Sequence, residues 1–296
     1  MKKNILIALM AALLPAAAFA QESPALPFLR IDRSAITSAM GGTEALSPLY
    51  NPAAVPFRGS DIAVSYQNWA PGGAKSTNIN LLGGIRVGSR LGIHVVGAYQ
   101  QGLEYTLFDN TGNGKATFAP SDLLVGAGVG FAITDFLSVG VNVKFAQSSV
   151  ASDVNDSAIA GDAFLMFSKQ GFSAAVGVAS LGTPVKSGEQ SYGLPTSAKV
   201  GLGYDVTFGT NAVSLAADAD VFFTGGVGAA LGAQYGWNDM VFVRAGFHLG
   251  TGQSPLPTYA SMGLGAKFAG IHVDVSYLLA NKTIGNTLCV GLGYAF

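Results

Sequence analysis

Residues 286–296 read NTLCVGLGYAF, a two-residue rhythm carried to the last position of the chain. Leu288, Val290, Leu292, Tyr294 and Phe296 alternate with Cys289, Gly291, Gly293 and Ala295. Successive side chains of a β-strand point to opposite faces, so this stretch has one large apolar face and one small face. Chain ends are usually frayed and polar. An aromatic residue at the end of such a strand calls for surroundings that hold it.

Composition says what those surroundings are. Charged residues make up 11% of the chain, against roughly 25% in an ordinary soluble domain. Mean hydropathy is +0.40, yet beyond the N-terminus no apolar run approaches the ~20 residues of a membrane helix. A net charge of −1 implies no bulk attraction to nucleic acid or to anionic lipid. The single cysteine, Cys289, excludes a disulfide framework and a cysteine-based zinc site, and in its apolar strand reads as a small hydrophobe. At the start, Lys2 and Lys3 precede an apolar run that Pro15 breaks, and Ala18-Phe19-Ala20 precedes Gln21. That arrangement predicts a secretory signal peptide over 1–20, and no cysteine follows the cut to make a lipoprotein. An exported, unusually apolar chain without a membrane helix fits a Gram-negative outer-membrane barrel.

The same alternation recurs fourteen times from Asp61 onward. The runs are 61–68, 76–87, 90–101, 122–133, 136–147, 157–168 and 171–180, then 197–208, 211–222, 226–236, 239–249, 258–268, 270–280 and 286–296. Each is near the ~9–11 residues of a tilted membrane strand. Tight turns such as 134–135, 209–211 and 238–239 alternate with longer loops, notably 102–121 and 181–196. Membrane barrels are built this way, with short periplasmic turns and longer outer loops. The fold class expected is therefore all-β, a 14-stranded antiparallel transmembrane barrel over 61–296, with both chain ends on the periplasmic side.

Charge placement tests the assignment. An Arg or Lys facing lipid costs about 2–4 kcal/mol at the midplane, so charges must share one parity. They do: Arg86, Lys144, Lys199, Arg244, Lys267, Asp162, Asp205, Asp218, Asp220 and Asp274 alternate with the large apolar residues. His94, His248 and His272 fall on the same inward parity. These thirteen residues are expected to form a polar network in the lumen, its acids and bases paired with one another. Phe164, Met166, Leu124, Phe242 and Leu278 share the inward parity and predict greasy patches between the charges. Aromatics mark two interfacial girdles. Phe131, Phe136, Phe167, Phe172, Phe208, Tyr235, Trp237 and Phe268 lie beside the short turns. Tyr66, Trp69, Tyr99, Phe145, Phe222, Tyr259 and Tyr277 lie at the other strand ends. Phe296 closes the last strand at the short-turn girdle.

Fourteen strands enclose more room than side chains alone fill. Residues 21–60 are the candidate filling: they do not alternate, and Phe28, Leu29, Ile31, Leu49, Tyr50 and Phe57 are too apolar for a solvated tail. A short helix is expected over Ala35–Met40, broken by the glycines that follow. The stretch "FLRIDRSAITSAMGG" followed by "YNPAAV", ahead of fourteen strands, resembles the PorV/PorQ family of FadL-like outer-membrane proteins. Met40, Gly41, Gly42, Asn51, Pro52 and Ala53 match the family's "MGG" and "NPAG" boxes, with Ala54 in place of the final glycine. The resemblance implies that residues 21–60 plug the lumen. It also implies an accessory or anchoring role for type IX-like protein secretion, with outer-membrane or secreted proteins as partners. The alternative is the FadL activity itself, passive passage of hydrophobic small molecules, with such a ligand or lipid in the lumen.

Chemical readings carry less. His272, Asp274 and Ser276 share a face, as a nucleophile, base and acid would, but a polar lumen produces such sets by default. Asp218 and Asp220 are close enough to hold a cation, although lumen Arg and Lys are the expected partners. G-x-G steps such as Gly201-Leu202-Gly203 lack the strand-to-helix context of a nucleotide site. No enzyme activity, cofactor, metal or nucleic-acid partner is expected. The export reading predicts a mature protein that starts at Gln21 and fractionates with the outer membrane. Intact-mass measurement and sarkosyl fractionation check both, and a soluble periplasmic product refutes the barrel.

Overall fold

Residues 24–69, 75–108, 114–151, 154–187, 190–251, 254–280 and 285–296 are described by the computed structural model. The expected signal peptide and its cleavage site lie outside these residues. Strand order along the chain is β1 (Asp61–Trp69), β2 (Ser76–Val87), β3 (Leu91–Gln101), β4 (Tyr105–Phe108), β5 (Gly114–Phe118) and β6 (Ser121–Ala132). Next come β7 (Leu137–Ala151), β8 (Val154–Lys169), β9 (Phe172–Gly182), β10 (Val185–Ser187), β11 (Gln190–Tyr192) and β12 (Ser197–Phe208). The last six are β13 (Asn211–Phe222), β14 (Val227–Trp237), β15 (Val241–Thr251), β16 (Tyr259–Phe268), β17 (Ile271–Leu279) and β18 (Thr287–Ala295).

Fourteen of these strands form one closed antiparallel barrel, in the order β1-β18-β17-β16-β15-β14-β13-β12-β9-β8-β7-β6-β3-β2. Closure is made by β1, which pairs β2 on one side and β18 on the other. The opening stretch of sequence is thus the seam strand, with Val64 opposite Leu292 and Tyr66 opposite Val290.

Two long loops are not plain loops. Strands β4 and β5 form a hairpin inside the expected loop 102–121, and β10 and β11 form another inside 181–196. Their three to five residues are too few for alternation to register as a signal. The hairpin formed by β7 and β8 is also longer than its alternation suggested, extending to Ala151 and back from Val154.

Parity holds around the wall. Val141, Val143, Ile159, Leu264 and Leu292 are exposed outward, whereas Asn142, Lys144, His94 and Asp274 are buried inward. Three girdle assignments need correction, Trp69 among them: it shares β1's inward parity with Ser65 and Gln67 and packs on the apolar cluster inside the lumen. Phe222 and Tyr259 are buried in the lumen, because each shares its strand's inward parity with Asp220 and Ser261 respectively. Phe222 lies under the Arg30 guanidinium at 5.6 Å, and Tyr259 stacks on His248 at 5.0 Å. At the short-turn end the girdle stands, with Phe136 and Phe167 at 5.7 Å and Tyr294 and Phe296 stacked at 5.6 Å.

Inside lies the N-terminal stretch. It is built of a 3-10 turn Pro27–Arg30, a helix Ala35–Ala39, a 3-10 turn Pro52–Ala54 and a helical turn Val55–Arg58. Ala25 N–H bonds Gly193 O among the long loops, while Arg58 reaches Asp205 at 2.5 Å beside the short turn after β12. The segment therefore runs the length of the lumen.

Parity has a direct test. Val141 faces outward, while Ser148 is half-buried on the inward side of the same strand, opposite Asp122. Val141→Arg is expected to block assembly at a cost of about 2–4 kcal/mol. Ser148→Arg, given a carboxylate partner across the strand, is expected to assemble normally. Heat-modifiable gel mobility separates the two, and equal behaviour refutes the facing.

Candidate functional site: the occupied lumen

A segment with so little regular structure leaves its backbone N–H and C=O groups without ladder partners, and buried groups of that kind must be satisfied elsewhere. Wall side chains do it. The Asp218 carboxylate accepts the N–H groups of Glu44 and Ala45, both at 2.7 Å. Ser138 donates to Ala53 O at 2.6 Å, and His94 Nε2 donates to Leu49 O at 2.9 Å. The Ser261 hydroxyl donates to Ala39 O and accepts from Gly41 N–H, each at 3.0 Å, so it caps the end of the helix. Ser65 donates to Arg33 O.

The two sequence boxes are the points of closest approach. Ser34 caps the helix Ala35–Ala39 by accepting from Ile36 N–H. Gly41 and Gly42 then turn the chain with φ of +75° and +84°, a region costly for other residues. Met40 and Gly41 lie flat on the backbone of β14 and β15. A Cβ on Gly246 would sit 2.1 Å from Gly41 N, and one on Gly232 2.5 Å from Met40 O. On the opposite wall, Asn51 is extended ahead of Pro52, its Oδ1 taking Ala53 N–H at 2.8 Å and its Nδ2 reaching Ala45 O at 2.6 Å. Pro52 and Ala53 press on Gly130 and Gly140 of β6 and β7, where added Cβ atoms would meet them at 1.9 and 2.3 Å. Ala54, standing where the family box ends in glycine, has φ of −78°, which any residue adopts.

Among the described residues, buried ion pairs form three groups. Arg30 and Glu44 of the segment meet Lys199 and Asp220 of the wall. Arg30 lies 3.2 Å from Asp220, and Lys199 lies 3.0 Å from Glu44 and 3.3 Å from Asp220. Lys144 pairs with Asp162 at 2.7 Å. Arg244 pairs with Asp274 at 2.5 Å, and Asp274 also holds His272 at 2.6 Å. Asp162 has a further task. The pairing of β8 with β9 shifts between Gly161 and Ala163, and the Asp162 carboxylate takes the Ser180 N–H at 2.7 Å in place of a ladder bond.

Several sequence expectations change. Arg86, Asp205 and Lys267 are not deep in the lumen but at the short-turn mouth, because each lies within a few residues of a turn. Asp205 pairs with Arg58 and Lys267 with Asp239, both partly exposed, while the Arg86 side chain donates to Gly88 O. Arg244 and Asp274 pair with each other, as a lumen network of acids and bases requires. Asp218 does not pair with a cation; it serves segment N–H groups. Phe242 is only half-buried, lying 5.3 Å from the Arg244 guanidinium, whereas Leu124, Phe164, Met166 and Leu278 are buried inside. His272 has both ring nitrogens on carboxylates, Asp274 and Asp61 at 3.0 Å, so Ser276 has no base. Sequence reading missed Arg30, Asp32, Arg33 and Glu44, because charges outside a strand carry no parity. Asp32 accepts from Tyr50, Thr37 and Ser34.

No protein-family model matches the chain, and no curated protein matches it in sequence. Solved structures match its fold. The toluene transporter TbuX of Ralstonia pickettii is similar with a TM-score of 0.62 at 13% identity, over 89% of this chain and 98% of that one. The monoaromatic hydrocarbon channel CymD gives 0.62 at 14%, over 90% and 98%. A Pseudomonas aeruginosa FadL homologue gives 0.52 at 10%, over 87% and 95%. The fold is FadL-like. The likeness is one of fold, and no comparison matches the PorV/PorQ family.

The Asp218 contacts predict a measurable local effect. Asp218→Ala removes two charge-assisted bonds, each worth about 1.5–3 kcal/mol. Hydrogen exchange at Glu44 and Ala45 is expected to accelerate by at least tenfold in an assembled barrel. Unchanged protection there would mean that other contacts hold this part of the segment.

Proposed function

We propose that the protein is an outer-membrane channel that passes small hydrophobic molecules, with the N-terminal segment as its plug. The observation that carries this reading is an apolar lane inside the barrel. Leu82, Val96, Leu124, Ala146, Ala158 and Ala160 face inward on β2, β3, β6, β7 and β8, under Phe28, Leu29, Ile31 and Leu49 of the segment. Phe164, Met166 and Ala175 lie under Leu46, Ala53 and Phe57. A lumen built for ions or sugars has no use for such a lane. The FadL-like fold shared with hydrocarbon channels supports the same reading.

In this reading the closed form has no room for cargo. The central cavity beside Leu29, Leu49 and Leu124 measures about 40 Å³, whereas a cavity that accepts benzene is on the order of 150 Å³. Cargo would follow the lane only as the segment withdraws from it. Met40, Gly41, Gly42, Asn51, Pro52 and Ala53 would then be the plug's footholds. The paired lumen charges neutralise one another and present no ring of one sign, which argues against ion selectivity.

Removing residues 24–54 behind an intact signal peptide is expected to leave an inserted barrel that conducts ions in single-channel recordings, while the full-length protein stays closed. Cells carrying the full-length protein are expected to take up a radiolabelled alkylbenzene faster than cells carrying the non-assembling Val141→Arg variant. Equal uptake would refute the channel, and a deletion variant that stays closed would refute the plug.

A further inference from the structure

Among the residues that line the central cavity, three side chains each have one polar atom without a partner among the described residues: Arg30 Nε–H, His94 Nδ1 and Asn142 Oδ1. These residues are 7%, 2% and 3% exposed, and a buried polar group left unpaired is costly. The bonds each side chain does make fix what its free atom offers. His94 Nε2 donates to Leu49 O at 2.9 Å, so Nδ1 of the neutral ring is an acceptor. Asn142 Nδ2 donates to Asp162 at 3.2 Å, which leaves Oδ1 as a second acceptor. Arg30 Nε–H is a donor. The two acceptors flank Gly128 of β6, His94 from β3 and Asn142 from β7, and the glycine places no side chain between them.

Charge narrows the choice of guest. Four cations line this cavity, Arg30, Arg33, Lys144 and Lys199. Five buried carboxylates of the segment and the wall, Asp32, Glu44, Asp162, Asp218 and Asp220, outnumber them. No positive charge is left over for an anionic head, and an ammonium head would face the four cations directly. The guest is therefore neutral, and to satisfy the three free atoms it must both donate and accept. Volume narrows it further. A cavity of about 40 Å³, at roughly 10–15 Å³ per water, takes a hydroxyl-sized head. The apolar lane meets the same cavity at Val96, Leu124 and Phe164.

We infer that the cargo is a neutral, hydroxyl-bearing apolar molecule, a phenol or an alcohol, whose O–H donates to His94 or Asn142 and accepts from Arg30 while its body lies in the lane. The inference rests on the channel reading and adds the substrate class to it. A plain hydrocarbon in the same place leaves all three polar atoms unpaired. A site that hydrogen-bonds a substrate hydroxyl discriminates in this way against the analogue that lacks it.

The probes are radiolabelled 4-ethylphenol, ethylbenzene and 4-ethylbenzoate, which share a body and differ in the head. Uptake by cells carrying the full-length protein is measured against cells carrying the non-assembling Val141→Arg variant, so that direct passage through lipid is subtracted. Protein-dependent uptake of ethylphenol is expected to exceed that of ethylbenzene about fivefold, the factor that one neutral hydrogen bond supplies. Ethylbenzoate is expected to show none. Asn142→Leu, assembled as judged by heat-modifiable mobility, is expected to bring the ratio of ethylphenol to ethylbenzene towards one. The wild-type ratio decides without the variant. Ethylbenzene taken up as fast as ethylphenol, or ethylbenzoate taken up as fast as either, overturns the hydroxyl seat and leaves the channel standing. No protein-dependent uptake of any of the three overturns the channel and the seat with it.

Discussion

The pairing of β1 with both β2 and β18 is the constraint from which the rest follows. In hydrocarbon every backbone N–H and C=O must be bonded within the protein, and only closure removes the open edge. Closing with fourteen strands fixes a lumen wider than inward side chains can fill. Something must occupy it, and whatever does so must be satisfied by the wall, since it has no sheet of its own.

Seen this way, the lumen's polarity has a structural origin. The inward serines, histidines and aspartates that meet the segment stand in for missing secondary structure: Asp218 takes two N–H groups, Ser261 closes a helix end, Ser138 and His94 take carbonyls. The inward glycines are the steric counterpart. Where Met40-Gly41 and Pro52-Ala53 touch the wall, the facing residues are Gly232, Gly246, Gly130 and Gly140, and no side chain would fit. Wall and segment were read from the sequence as two patterns, but physically they are one surface and its mould.

This explains what was legible in the sequence. Strand number, facing and closure rest on period-two alternation and on the exclusion of charge from lipid, both local properties, so all fourteen barrel strands were found within a few residues of their ends. The helix Ala35–Ala39 was legible too, from the glycines that stop it. Partner choice was not. Nothing in the local pattern says that Arg30 meets Asp220, 190 residues away, or that Asp218 serves backbone N–H groups while its neighbour Asp220 serves cations. Parity tells which face a residue is on but not how deep, which is why Arg86, Asp205 and Lys267 were grouped with residues far inside; Phe222, Tyr259 and Trp69 were placed in a girdle by their nearness to strand ends, against their own inward parity.

The distribution of these contacts bears on how the lumen is closed. A plug seated by a single greasy face would have to expose that whole face at once to leave. Here the apolar contacts gather on the β2–β9 side, beside the hydrogen bonds from His94 and Ser138, while the opposite side holds the segment by hydrogen bonds and ion pairs from β12, β13 and β16. Each polar contact is individually worth about 1–3 kcal/mol and is replaced by water when it breaks. Apolar contacts have no such substitute in water, but a hydrophobic molecule provides one. The two sides of the segment therefore differ in what can replace their contacts, and under the proposed channel function a hydrophobic cargo replaces those of the apolar side.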